Sequence, residues 1–161
     1  MNLTAKDREL VSLLQNDAQL THSDLAQRLG FSQSACHRRV KQLEEAGIIS
    51  GYRAIVDRKK LGLNVLSYVI VKLESHAEDL LSAFTKQIEQ IDEVVACYAI
   101  SGNGDYILKV IAEDMDAYAE LALKKLARLP GVKDSSSNFV LSEVKLAEGW
   151  PLPEKRTKQR P

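Results

Sequence analysis

The chain has 161 residues, 45% of them hydrophobic, enough for one ordinary domain or two small ones with a real core. It has no apolar run of transmembrane length, and its start lacks the charged-then-apolar pattern of a secretory signal. Cys36 and Cys97 are isolated thiols rather than a disulfide framework, so the expected compartment is the reducing cytoplasm.

The net charge of zero hides an asymmetry. Residues 1–60 hold ten Lys/Arg and seven Asp/Glu, whereas residues 61–146 hold eight and thirteen. A basic front joined to an acidic body fits one module that meets phosphate and another that does not.

Three capped helices are expected in the front third. Thr4 precedes a run carrying Leu10, Val11, Leu13 and Leu14, with Asp7 three residues beyond the cap. Thr21 and Asp24 repeat that relation ahead of Leu25, Ala26 and Leu29. Each pair can satisfy free N–H groups at a helix start, and the carboxylate suits the positive end of the dipole. Gly30 can take the positive φ needed to leave the second helix sharply, and Ser32 caps a third that ends before Gly47.

In the third helix Cys36, Val40 and Leu43 form the buried stripe. The other faces carry Ser32, Gln33, Ser34, His37, Arg38, Arg39 and Lys41, with no acidic residue between Ser32 and Gln42. Amide, hydroxyl, imidazole and guanidinium groups supply the donors and acceptors that base edges require. Arg38 suits a guanine and Gln33 an adenine, while Arg39 and Lys41 are placed for phosphates. The Ala26–Gly30–Cys36 spacing fits a tight helix-turn-helix, so double-stranded DNA is the expected partner, through half-sites about ten base pairs apart if the protein is a two-fold dimer.

"GYRAIVD" alternates as a short connecting strand, with Tyr52, Ala54 and Val56 on one side and Arg53 and Ile55 on the other. "RKKLG" supplies three cations that lie either near phosphates or on a solvated linker. From Asn64 a β-α-β-β-α-β order follows: "VLSYVIVKLE", a helix with Leu81, Phe84, Ile88 and Ile91 on one face, "EVVACYAI", "YILKVIAE", "DAYAELALKKLARL" and "SNFVLSEVKL". The expected class is α+β: an N-terminal helix-turn-helix (winged-helix-like) domain and a C-terminal ferredoxin-like βαββαβ domain with its helices on one sheet face. The strands are apolar at nearly every position, so the second face also needs cover, and a second copy of the chain is its natural partner. The boundaries read 1–50 for the DNA-binding domain, 51–63 for the connector, 64–152 for the ferredoxin-like domain and 153–161 for a basic disordered tail.

Ser101-Gly-Asn-Gly-Asp105 joins two of these strands. Its glycines can expose N–H groups to a carboxylate and Asp105 offers charge to an ammonium, which would hold an amino-acid zwitterion. A plain Asn-Gly hairpin turn explains the same residues. The three histidines are dispersed and no nucleophile–base arrangement has useful spacing, so no enzyme, metal or cofactor is expected.

In order and spacing, "KDRELVSLLQNDAQLT", "LAQRLGFSQSACHRRVKQLEEAGII", "SGNGDYILKV" and "SSSNFVLSEVK" resemble the Lrp/AsnC (leucine-responsive regulatory protein, feast/famine) family of transcription regulators over roughly residues 3–152. Ala35 stands where many members have Pro before the recognition-helix Cys, and Ala147-Glu148 where many read Thr-Thr. The second departure weakens any transfer of ligand preference. The resemblance implies a homodimer that builds a higher oligomer such as an octamer, and a small amino-acid effector. The effector site would form from Ser101, Gly102 and Asp105 with Ser135 and Ser137 of a neighbouring subunit. The implied protein is a cytoplasmic, nucleoid-associated regulator whose assembly or DNA affinity follows its effector. The alternative is an effector-independent, chromatin-organising DNA-binding protein.

Overall fold

The computed structural model describes residues 2–146 and 149–152 and divides the chain into two compact units. One comprises the described residues up to Ile55 together with Lys145, Leu146 and Gly149–Leu152; the other runs from Val56 to Val144. The expected basic tail, 153–161, lies outside the described residues.

The first unit holds α1 (Ala5–Asn16), α2 (His22–Leu29) and α3 (Gln33–Glu45). Thr4 with Asp7 and Thr21 with Asp24 both close reciprocal capping boxes. Gly30 adopts φ +66° and ends α2, after which the Ser32 hydroxyl caps α3 by accepting from the Ala35 N–H. The Lys6 ammonium donates to the Leu29 carbonyl and lies 4.7 Å from the Phe31 ring centroid, tying α1 to the turn. Leu10, Val11, Leu14, Leu25, Ala26, Leu29, Cys36, Val40 and Leu43 form the core, as the apolar periodicity predicts.

Two expectations change here. Residues 51–57 contain no strand, because alternation alone supplies no ladder partner. Tyr52 instead hydrogen-bonds Glu44 at 2.9 Å; burial and this carboxylate push its phenol up to about 12. The expected ferredoxin-like domain also loses its end: residues 140–144 stay with it, but Lys145, Leu146 and Gly149–Leu152 group with the helices, where Trp150 bonds Gln15 and Leu152 packs on the helical core.

The second unit opens with a 3-10 turn (Arg58–Leu61) capped by Asp57, then β1 (Val65–Leu73), α4 (Glu78–Ile88), β2 (Val94–Ala99), β3 (Tyr106–Ala112), α5 (Met115–Lys124) and β4 (Val132–Phe139). The helix expected to run through Leu129 breaks at Lys125 into a 3-10 turn. The last strand begins five residues before "SNFVLSEVKL" and stops at Phe139. The sheet is antiparallel in the order β2-β3-β1-β4.

Alternation sorts the sheet into two faces. Val69, Val71, Leu108 and Val110 form a core with Phe84 and Ile88 of α4 and Tyr118 and Leu121 of α5. The other face carries Tyr68, Ile70, Ile107, Lys109, Ile111 and Tyr98, with Ile70 paired to Ile107 at its centre. None of these six belongs to the core, and Tyr98 is 61% exposed.

Candidate nucleic-acid interface and effector loop

At about 100° per residue, Gln33, Ser34, His37, Arg38 and Lys41 fall within an arc of about 140° on α3. All five are exposed. Arg38 has no hydrogen-bond or ion-pair partner among the described residues, whereas Lys41 has only a loose pair, 3.8 Å, with Glu45. The Ser32 hydroxyl is engaged as the N-cap, 3.3 Å from the Ala35 N–H, and lies 3.3 Å from the Ser34 hydroxyl. His37 meets His22, the first residue of α2, with ring centroids 4.7 Å apart and planes at 79°. His22 escaped the sequence reading because the chain offers no local signal that two rings 15 positions apart will touch.

Arg39 corrects the expectation of a phosphate contact. It lies beside the buried stripe, about 40° from Leu43 by the same rotation, and turns inward. Its Nε and second terminal nitrogen each lie 2.5 Å from an Asp7 carboxylate oxygen, and its remaining nitrogen donates to Gln42. Asp7 is 2% exposed. The Arg39 guanidinium, with added bonds from Thr4, holds the Asp7 carboxyl far below the usual carboxylate range against the opposing effect of burial. Asp7 is therefore both a cap and half of a buried ion pair that fastens α3 to α1.

In the second unit, the β2–β3 connection exposes Ser101 and Gly102, the latter at φ +112°. A Cβ on Gly104 would sit 2.4 Å from Ile70 Cγ2 and 3.3 Å from the Val71 carbonyl, so only glycine lets the loop lie this close to β1. Asp105 is not a free anion: it accepts from the Leu73 N–H at 2.7 Å and faces His76 Nε2 at 2.8 Å. These two bonds, in that order, lower its carboxyl below the ordinary value. His76, one of the three dispersed histidines, is thus a partner of the loop.

Ser135 and Ser137 sit on β4, opposite Val71 and Val69 of β1. The Ser137 hydroxyl accepts from Tyr118 at 2.6 Å. Within one chain, β1 stands between these serines and the strand that leaves the loop.

Comparison with known proteins follows the same two-part division. A winged helix-turn-helix DNA-binding family matches residues 3–50, and the Lrp/AsnC ligand binding domain matches residues 66–150. The chain belongs to the Lrp/AsnC family. The leucine-responsive regulatory proteins of Klebsiella pneumoniae and Escherichia coli K12 are each 36% identical over 139 residues, covering 86% of this chain and 85% of theirs. A Neisseria meningitidis transcriptional regulator solved in complex with L-Met superposes with a TM-score of 0.89 at 33% identity, over 93% of this chain and 97% of that one. Escherichia coli AsnC superposes at 0.84 with 28% identity, over 91% of this chain and 97% of its own.

This Lrp/AsnC chain is accordingly a DNA-binding transcription regulator with a ligand-binding domain, not an enzyme. Among the described residues no helix is long and apolar enough to cross a membrane, and no cluster of three His, Cys, Asp or Glu residues is placed to hold a metal. Both thiols are free; burial raises each above the ordinary cysteine value.

Proposed function

We propose that the protein is a sequence-specific regulator that binds DNA as a homodimer or a larger ring and changes assembly or affinity when an amino acid binds near Ser101–Asp105. The observation that carries the reading is the outward arc of α3: four polar or cationic side chains around an Arg38 with no partner among the described residues. Gln33, Ser34, His37 and Arg38 face base edges, Lys41 faces phosphate, and Ser32 fixes the start of the helix. A protein so engaged is nucleoid-associated.

The apolar open sheet face supports the dimer, and the L-Met complex of a relative supports an amino-acid effector. The exposed N–H groups around Gly102 suit the carboxylate. An ammonium would share Asp105 with His76. Ser135 and Ser137 are proposed as contacts from a neighbouring subunit, with the Tyr118 bond orienting Ser137.

Arg38→Ala is expected to weaken binding to the cognate operator by about 10- to 100-fold, the worth of one bidentate base contact, while unfolding is unchanged. Footprinting on the promoter beside its own gene measures this, and unchanged operator affinity overturns the assignment of α3. Calorimetric titration with the twenty amino acids is expected to give heat and a change in light scattering for at least one. Silence in both removes the effector and favours the chromatin-organising alternative, which genome-wide occupancy would show as broad coverage rather than sharp sites.

A further inference from the structure

The chain leaves the helical unit after Ile55 and re-enters it at Lys145. Three separate features hold the returning segment. The Gln15 side chain reads the Trp150 backbone twice, its carbonyl accepting from the Trp150 N–H at 2.6 Å and its amide donating to the Trp150 carbonyl at 3.1 Å. Gly149 lies so close that an added Cβ would stand 2.9 Å from Gln15 Oε1. Leu152 packs on the helical core and lines one shallow hollow together with Ala5, Arg8, Glu9 and Ser12 of α1. The Trp150 ring contributes little, being 83% exposed. A side-chain amide paired to one backbone unit imitates a single rung of a sheet ladder, and it selects an extended segment over any particular sequence.

We propose that Gly149–Leu152 is a strap seated on α1 that restrains the helix-turn-helix unit, so that a dimer reads the spacing between two half-sites. The proposal rests on the dimeric DNA-binding reading above. With the strap seated, the unit is attached to the rest of the chain at both of its crossings. With the strap released, only residues 51–57 hold it, and these pair with no strand. A second attachment narrows the separations at which partner helices are presented, whereas a reader on a single tether samples many and pays ordering entropy on each. Seating the strap would thereby set which operators are bound without touching a base.

The test uses the full chain with two variants that unseat the strap differently, Gly149→Val by steric conflict with Gln15 and Leu152→Asp by loss of the apolar anchor. Anisotropy of Trp150, the single tryptophan, should fall in both, reporting release. Wild type should prefer its operator over one with five inserted base pairs by at least tenfold more than either variant does. Affinity for a single half-site, the mass by light scattering and helical content should all match wild type. Spacing preference unchanged in both variants, or absent from the wild type, overturns the strap. A loss of half-site affinity in the variants also overturns it, because the segment would then support the reading helix itself, whereas a wild type that binds no half-site or runs as a monomer overturns the DNA-binding or dimer reading on which the strap rests.

Discussion

Asp7→Ala is expected to destabilise the helical unit by about 4 kcal/mol, because it strands the Arg39 guanidinium and opens the α1 capping box in one step. Asp7 is buried to 2%, while the Arg39 side chain is 27% exposed, so water relieves part of the penalty and the low end of the range for broken buried pairs applies. The capping loss adds about 1 kcal/mol. Hydrogen exchange at the α1–α3 amides of the full chain measures it, and exchange unchanged from wild type contradicts the role given to the pair.

The same pair fixes a pH dependence. The Asp7 carboxyl titrates lower in the folded unit than in the unfolded chain, where its ordinary value is 3.8. The unfolded chain therefore takes up the proton first as pH falls. The stabilisation is complete above about pH 5 and is lost progressively below about pH 4. Replacing both partners by apolar residues, Asp7→Leu with Arg39→Met, should recover much of the stability that either single change removes, since no charge is then left buried. Only the capping contribution should stay lost.

What the sequence disclosed follows the range of the interactions involved. Thr4 with Asp7, Thr21 with Asp24, and Gly30 act within one helical turn, so residue identity and spacing were enough to place them. The stripe of Cys36, Val40 and Leu43 was legible for the same reason. Arg39 was misread because its partner lies 32 residues away and a cation on a basic helix looks like a phosphate ligand. Rotation around α3 was the available signal, since it places Arg39 next to the buried stripe rather than with Arg38.

The strands show the converse. "GYRAIVD" has the alternation of a strand and no partner, so it forms none. Ser135, Ser136 and Ser137 have little intrinsic preference for extended structure, yet they are held in β4 by the ladder to β1. In the candidate effector loop the glycines were legible, whereas the His76–Asp105 pair, 29 residues apart, was not.

Ile107→Asp is expected to convert the proposed dimer to a monomer. Ile107 pairs with Ile70 across the two central strands, at the middle of the open face, and lies outside the core beneath the helices. The monomer should therefore keep its fold. In a two-fold interface each substitution occurs twice, facing the same patch of the other copy. Burying a carboxylate among Ile70, Tyr68 and Tyr98 costs at least about 2 kcal/mol per copy, or about 4 kcal/mol together, which raises the dimer dissociation constant on the order of a thousandfold. The consequence for DNA is as large. Two recognition helices on one dimer bind the second half-site at the effective concentration set by their connection, and a monomer lacks that advantage. Operator affinity should fall by roughly 100-fold while affinity for one half-site stays level. Ile107→Met, similar in volume and uncharged, should remain a dimer. Sedimentation of the three proteins decides the matter: an Ile107→Asp chain that still runs at the wild-type mass would show that the open sheet face is not where the copies meet.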